Sequence, residues 1–198
     1  GQIHSYASFV MATLPGIQWD WICKPSKSDY EELLKEKPAI IHHIKTIVNT
    51  YEYSLVNEIT IDFVQSVFRN LHLSQDTLFH YVELSKVLWN ARCDPKQEKF
   101  SLSETGGMKL ISMRKKSIPY SLIIWDEAQD IPDVHFSLIR KFQDCKHVLF
   151  GDDYQTINLW RKGMSGHFNT LDTHERLPQT YRFGQTLACF VNSFMMVM

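Results

Sequence analysis

The stretch "SLIIWDEAQDIPD", Ser121–Asp133, decides how this chain is read. An apolar run, Leu122–Trp125, stops abruptly at Asp126 and Glu127, with Gln129 and Asp130 close behind. Ionised carboxylates leave water only at a large cost. The acids therefore mark a strand end that meets solvent. A second run, "HVLFGD" at His147–Asp152, has the same form and closes on Gly151 and Asp152. Between the two, "IPDVHFSLIRKFQDC" sets Val134, Leu138 and Phe142 at helical spacing. The order is strand, helix, strand. Short continuous apolar runs of this kind read as fully buried parallel strands, and βαβ units gather functional groups at the strands' carboxyl ends.

Upstream the pattern changes. From Pro15 to about Lys109 apolar residues recur three and four positions apart, which predicts a mainly helical section. "DTLFHYVELSKVLWNAR" is its clearest helix, with Leu78, Tyr81, Val82, Ser85 and Trp89 on one face and Asp76 at the N-cap position. "DPKQEKFSLSETGG", Asp94–Gly107, is polar and marked by Gly and Pro, and predicts a loop that closes the helical section. No internal repeat or low-complexity tract interrupts the chain.

Bulk composition narrows the class. The 198 residues are 44% hydrophobic and 13% aromatic, which supports a packed core rather than disorder. Basic and acidic residues number 21 and 22, so any nucleic-acid surface must be local. Cys23, Cys93, Cys145 and Cys189 are widely spaced, with no CxxC, which predicts reduced thiols in an intracellular protein. No signal peptide and no apolar stretch of transmembrane length is present, so no membrane partner is expected. The chain opens on Gly1 and stops in "FVNSFMMVM", and reads as a fragment of something longer.

Asp126 and Glu127 stand where a nucleoside triphosphatase holds magnesium and activates water. Mg²⁺ keeps several waters and uses few protein carboxylates, and a second carboxylate can orient or deprotonate the attacking water. The alternative is a pair of solvated acids opening a helix, where the dipole favours them. The second strand weights the choice: Gly151 permits close backbone approach, and the neutral Gln155 suits a γ-phosphate contact. In "LPQTYRFGQTLACFVNSF", Arg182 lies between Tyr181 and Phe183 at the start of an apolar helix. A planar, permanently charged guanidinium there fits a phosphate oxygen; the alternative is an arginine snorkelling from the helix.

These motifs, DEAQD, GDxxQxI…WR and LxQTYRFG in this order, resemble those of superfamily 1A DNA helicases of the UvrD/Rep type. "GQIHSYASF" is similar to that family's TFHS motif. "LWNARCDP…FSLSETGGMKLISM" and "YRFG" resemble the F-box DNA helicases within it. The resemblance implies an α/β fold: a partial RecA-like parallel sheet with a mainly helical insertion. Residues 1–19 and 106–198 would belong to the motor domain and 20–105 to the insertion. It implies ATP and Mg²⁺ as cofactors, single-stranded DNA as partner, further protein partners through regions outside this chain, and a nuclear location. Asp126 would bind Mg²⁺ and Glu127 would be the catalytic base. Gln129 and Gln155 would sit at the nucleotide and couple it to DNA, with Arg182 on the γ-phosphate. His4 and Ser5 would lie by single-stranded DNA. Trp160 and Arg161 match the aromatic–arginine pair on which a base stacks.

The sequence also departs from the family. Gln2 replaces Thr, Asn158 stands where Tyr is usual, and no GxxxxGK[ST] occurs; "TGGMK" at Thr105 has the wrong spacing. The expectation is a fragment without the P-loop and second motor domain, inactive by itself. The competing expectation is a degenerate, non-catalytic remnant serving as a binding or scaffold module. Other features have plain explanations. His42 and His43 are adjacent on a helix, about 100° apart, and make a poor chelating pair. Arg114–Lys116 reads as a solvated loop or a phosphate-backbone contact. Trp19, Trp21, Trp89 and Trp125 read as packing residues.

Overall fold

The computed structural model describes Leu14, residues 16–19, 24–113, 120–142, 144–152, Gln155, Thr173, Glu175, Leu177, Gln179 and residues 184–195. The chain divides into two compact units, 1–166 and 167–198. Among the described residues it is an α/β structure with seven helices and one two-stranded parallel sheet.

The first unit opens with helices α1 (Lys27–Leu34), α2 (Pro38–Tyr53), α3 (Ile61–Val67), α4 (Gln75–Cys93) and α5 (Glu104–Met113). Their starts follow local chemistry. Ser26 and Asp29 form a reciprocal capping box on α1. Thr60 caps α3, and Ser74 caps α4 by accepting from Thr77 N at 3.2 Å. Asp76 therefore lies in the first turn of α4 rather than at its N-cap, where its charge still favours the helix dipole. The predicted apolar face is buried: Leu78, Tyr81, Val82, Ser85 and Trp89 all lie inside, with Leu88 beside them. The helices pack around α2, whose Ile44, Ile47 and Val48 are wholly enclosed.

The predicted Asp94–Gly107 loop ends earlier than expected, because Glu104 starts α5. Gly106 lies inside this helix, and the absence of a side chain there has a steric reason. A Cβ at this position would lie 2.8 Å from Leu102 Cδ1 and 2.9 Å from the Glu52 carboxyl carbon. Glu52 is 2% exposed and accepts from Arg92 Nη1 at 2.7 Å and from Ser103 Oγ at 2.5 Å. This ion pair ties α2, α4 and the entry of α5 together. Lys109, one turn on, is 1% exposed and donates to the carbonyls of Ser54 and Val56 while lying over the Tyr51 ring. Burial pushes its amine down to about 8.

Next come β1 (Leu122–Trp125), a 3-10 turn (Ala128–Asp130), α6 (Asp133–Lys141) and β2 (Lys146–Leu149). The strands pair in parallel, Leu122 opposite Lys146 through Trp125 opposite Leu149. The strand–helix–strand reading holds, and Val134, Leu138 and Phe142 are buried as the spacing predicts. The helix α6 packs on α5, and Lys141 Nζ reaches the Ile111 and Ser112 carbonyls at the α5 terminus. The strands are not fully buried, contrary to expectation. Leu122, Ile124, Val148 and Phe150 are exposed, Ile124 by 60%. A parallel sheet is covered on both faces only when helices lie on both, and among the described residues these four side chains stay open to solvent. The other face carries Trp125, whose indole donates to His147 Nδ1 at 3.2 Å.

In the second unit, α7 (Gln185–Met195) is an amphipathic helix that exposes Leu187, Phe190 and Val191. Cys93, Cys145 and Cys189 hold thiols rather than disulfides. No described helix is long and apolar enough to cross a membrane.

Candidate nucleotide site at the strand ends

The two strands finish side by side, and backbone hydrogen bonds continue past them. Phe150 N donates to Trp125 O at 2.8 Å, and Ala128 N donates to Phe150 O at 2.8 Å. This extension brings the Asp126–Gln129 turn against Gly151 and Asp152. Side chains that a linear reading assigns to separate motifs thus meet at one sheet edge.

Asp126 and Glu127 are both exposed, at the carboxyl end of β1. Asp126 Oδ1 accepts from Glu127 N at 3.1 Å, which turns the chain sharply after the strand. Glu127 adopts φ 52°, ψ 46°, the left-handed region. For a residue with a Cβ that conformation costs roughly 1–2 kcal/mol. Lys35, the other such residue among those described, has an ordinary reason for it as the C-cap of α1. Glu127 instead sits between a strand and a 3-10 turn, where strain collects at sites that must aim a side chain.

Gln129 holds that geometry. It is 2% exposed. Its Oε1 accepts from Asp152 N at 3.1 Å, and its Nε2 donates to Glu127 Oε2 at 2.7 Å. The Asp152 amide can only donate, so the oxygen must face it and the nitrogen must face Glu127. Asp152 Oδ2 then accepts from Gln155 Nε2 at 2.7 Å, and Gln155 N donates to Asp152 O at 2.9 Å. A continuous path runs Glu127, Gln129, Asp152, Gln155.

The structure therefore brings four predicted site residues, Asp126, Glu127, Gln129 and Gln155, to the ends of two adjacent parallel strands. Arg182, His4, Ser5, Trp160 and Arg161 lie outside the described residues, as do Arg114–Lys116, Trp21 and Cys23. Asp152 is the member that residue-by-residue reading leaves without a task; its place after Gly151 at the end of the second strand was the available signal. No group of three or more His, Cys, Asp or Glu among the described residues forms a metal cage. Two carboxylates suffice for an ion that keeps its waters and leans on substrate phosphates. His42 and His43 are not a chelating pair: their ring centroids lie 6.3 Å apart, and His43 Nδ1 bonds the Tyr81 hydroxyl at 2.9 Å.

No family model matches this chain, no curated protein matches it, and no solved structure matches it.

Proposed function

We propose that this chain is part of an ATP-dependent DNA helicase motor, of RecA-like architecture, that translocates on single-stranded DNA in the nucleus. The observation that carries the reading is the Glu127–Gln129–Asp152–Gln155 path across two parallel strand ends. It joins a candidate base to the segment expected to contact the γ-phosphate. Parallel α/β sheets bind ligands at this end, and the exposed acids there suit a hydrated Mg²⁺ on a nucleotide.

In this reading Asp126 holds the hydrated ion, which supplies charge neutralisation on the phosphates. Glu127, aimed by its left-handed backbone, orients the attacking water and takes its proton. Gln155 meets the γ-phosphate; the γ-phosphate role of Arg182 and the DNA roles of Trp160, Arg161, His4 and Ser5 are carried by the family resemblance alone. Glu127→Gln in the intact protein is expected to slow hydrolysis by ~10²–10⁴-fold while ATP binding stays nearly unchanged, because the amide keeps the shape but accepts no proton. Steady-state hydrolysis beside a fluorescent-nucleotide binding titration measures both. Normal turnover by the variant removes Glu127 from the role of base.

A further inference from the structure

We infer that Gln129 is a positioning residue: its buried amide clamps Glu127 in the left-handed conformation by spanning the ends of β1 and β2. The inference rests on the reading of Glu127 as base, and it gives Gln129 a role other than the nucleotide contact that the family resemblance implies.

The argument is one of hydrogen-bond capacity. A primary amide offers one acceptor oxygen and two donor hydrogens. The oxygen is taken by Asp152 N and one hydrogen by Glu127 Oε2, with the side chain almost wholly out of solvent. A group so engaged has little left for a ligand. It has much to give Glu127, whose other hydrogen bonds among the described residues involve its backbone: Glu127 N with Asp126 Oδ1, and Asp130 N with Glu127 O. Among the described residues only Gln129 fixes the carboxylate itself. Its neighbours hold it in turn, since Ala128 is buried and its N–H is bonded across to Phe150. A carboxylate left to swing by an ångström loses the alignment that catalysis needs.

Two substitutions separate the two bonds. Gln129→Met keeps the length of the side chain and removes both bonds. Gln129→Glu keeps an acceptor for Asp152 N and removes the donor to Glu127. On this chain, the Glu127 backbone conformation is read from NMR couplings and chemical shifts, and the Asp152 amide from hydrogen exchange. The expected result is that both variants release Glu127 from the left-handed region. Exchange at Asp152 rises about tenfold in Gln129→Met, as for loss of one hydrogen bond, and is unchanged in Gln129→Glu. In the intact protein each variant lowers kcat roughly a hundredfold with KM for Mg·ATP preserved. Should Gln129→Met fail to fold, Gln129→Glu decides alone. A Glu127 backbone that stays left-handed, or a raised KM at preserved kcat, overturns the inference. Absence of Mg²⁺-dependent hydrolysis in the unsubstituted intact protein overturns the helicase reading instead, and the backbone comparison still decides whether Gln129 is the clamp.

Discussion

Two glutamates in the same unit show what burial and exposure do to one chemical group. Glu52 lies in the helical section, 2% exposed, with Arg92 on one oxygen and Ser103 on the other. Its charge is neutralised and its geometry is relaxed. Glu127 lies at the end of β1, exposed, in a strained backbone, with a neutral amide as its side-chain partner. Among the described residues no cation pairs with it. A buried carboxylate with a cation and a hydroxyl serves cohesion, and one held out into water at a strand end is available for a reaction. The composition of the two sections does not draw this distinction; the partners do.

The contrast makes opposite predictions. Glu127→Gln carries the largest expected effect, the loss of hydrolysis already stated, with a melting temperature close to that of the parent. Glu52→Ala should do the reverse. Removing one partner of a buried ion pair costs ~3–5 kcal/mol, so thermal unfolding falls sharply and every activity declines with it. A parent-like melting temperature for Glu52→Ala would break the comparison. Gly106→Ala sharpens it, because the added methyl meets Leu102 and the Glu52 carboxyl inside 3 Å. Overpacking of this kind costs ~1–3 kcal/mol, measurable by denaturant unfolding. On the DNA side, Trp160→Ala in the intact protein should weaken single-stranded DNA binding by ~1–3 kcal/mol and leave stability intact. Equal loss of stability would make Trp160 a packing residue.

A pH slope from the helical section gives a further test. Burial holds the Lys109 amine at about 8 in the folded chain, below the ordinary lysine value of about 10.4. Between these values the unfolded chain binds more protons than the folded one, so stability rises with pH across that window. Below about pH 8 both states are protonated and the slope vanishes. Lys109→Met should flatten the slope, while leaving the Ser54 and Val56 carbonyls to find other donors. Unfolding curves from pH 7 to 10 for both proteins test this.

Much of the fold was legible because it is local. Val134, Leu138 and Phe142 announced α6, the apolar runs announced the parallel strands, and the stripe on α4 announced its buried face. What failed was also physical. Two apolar runs do not say how many helices cover them, so the exposure of Ile124 and Val148 was unreadable. Asp76 and Ser74 are both good caps, and only backbone geometry chooses Ser74. Glycines suggested a loop at Gly106, although a close approach to Glu52 asks for the same residue. The Glu52–Arg92 pair spans 40 positions and has no periodic signature. In the candidate site the acids were legible as a strand end. The burial of Gln129 and its bond to Asp152 come from the juxtaposition of two motifs, which neither motif contains.

The central claim is that the strand ends, and not the buried acids, receive a metal–nucleotide complex. Paramagnetic Mn²⁺ added with ATP to the isotope-labelled chain tests it most directly. The account predicts selective broadening of Asp126, Glu127, Gly151 and Asp152, removed by Asp126→Ala, with Glu52 and Lys109 unaffected. Uniform broadening, or broadening centred on any other acids with Asp126–Asp152 sharp, would contradict it.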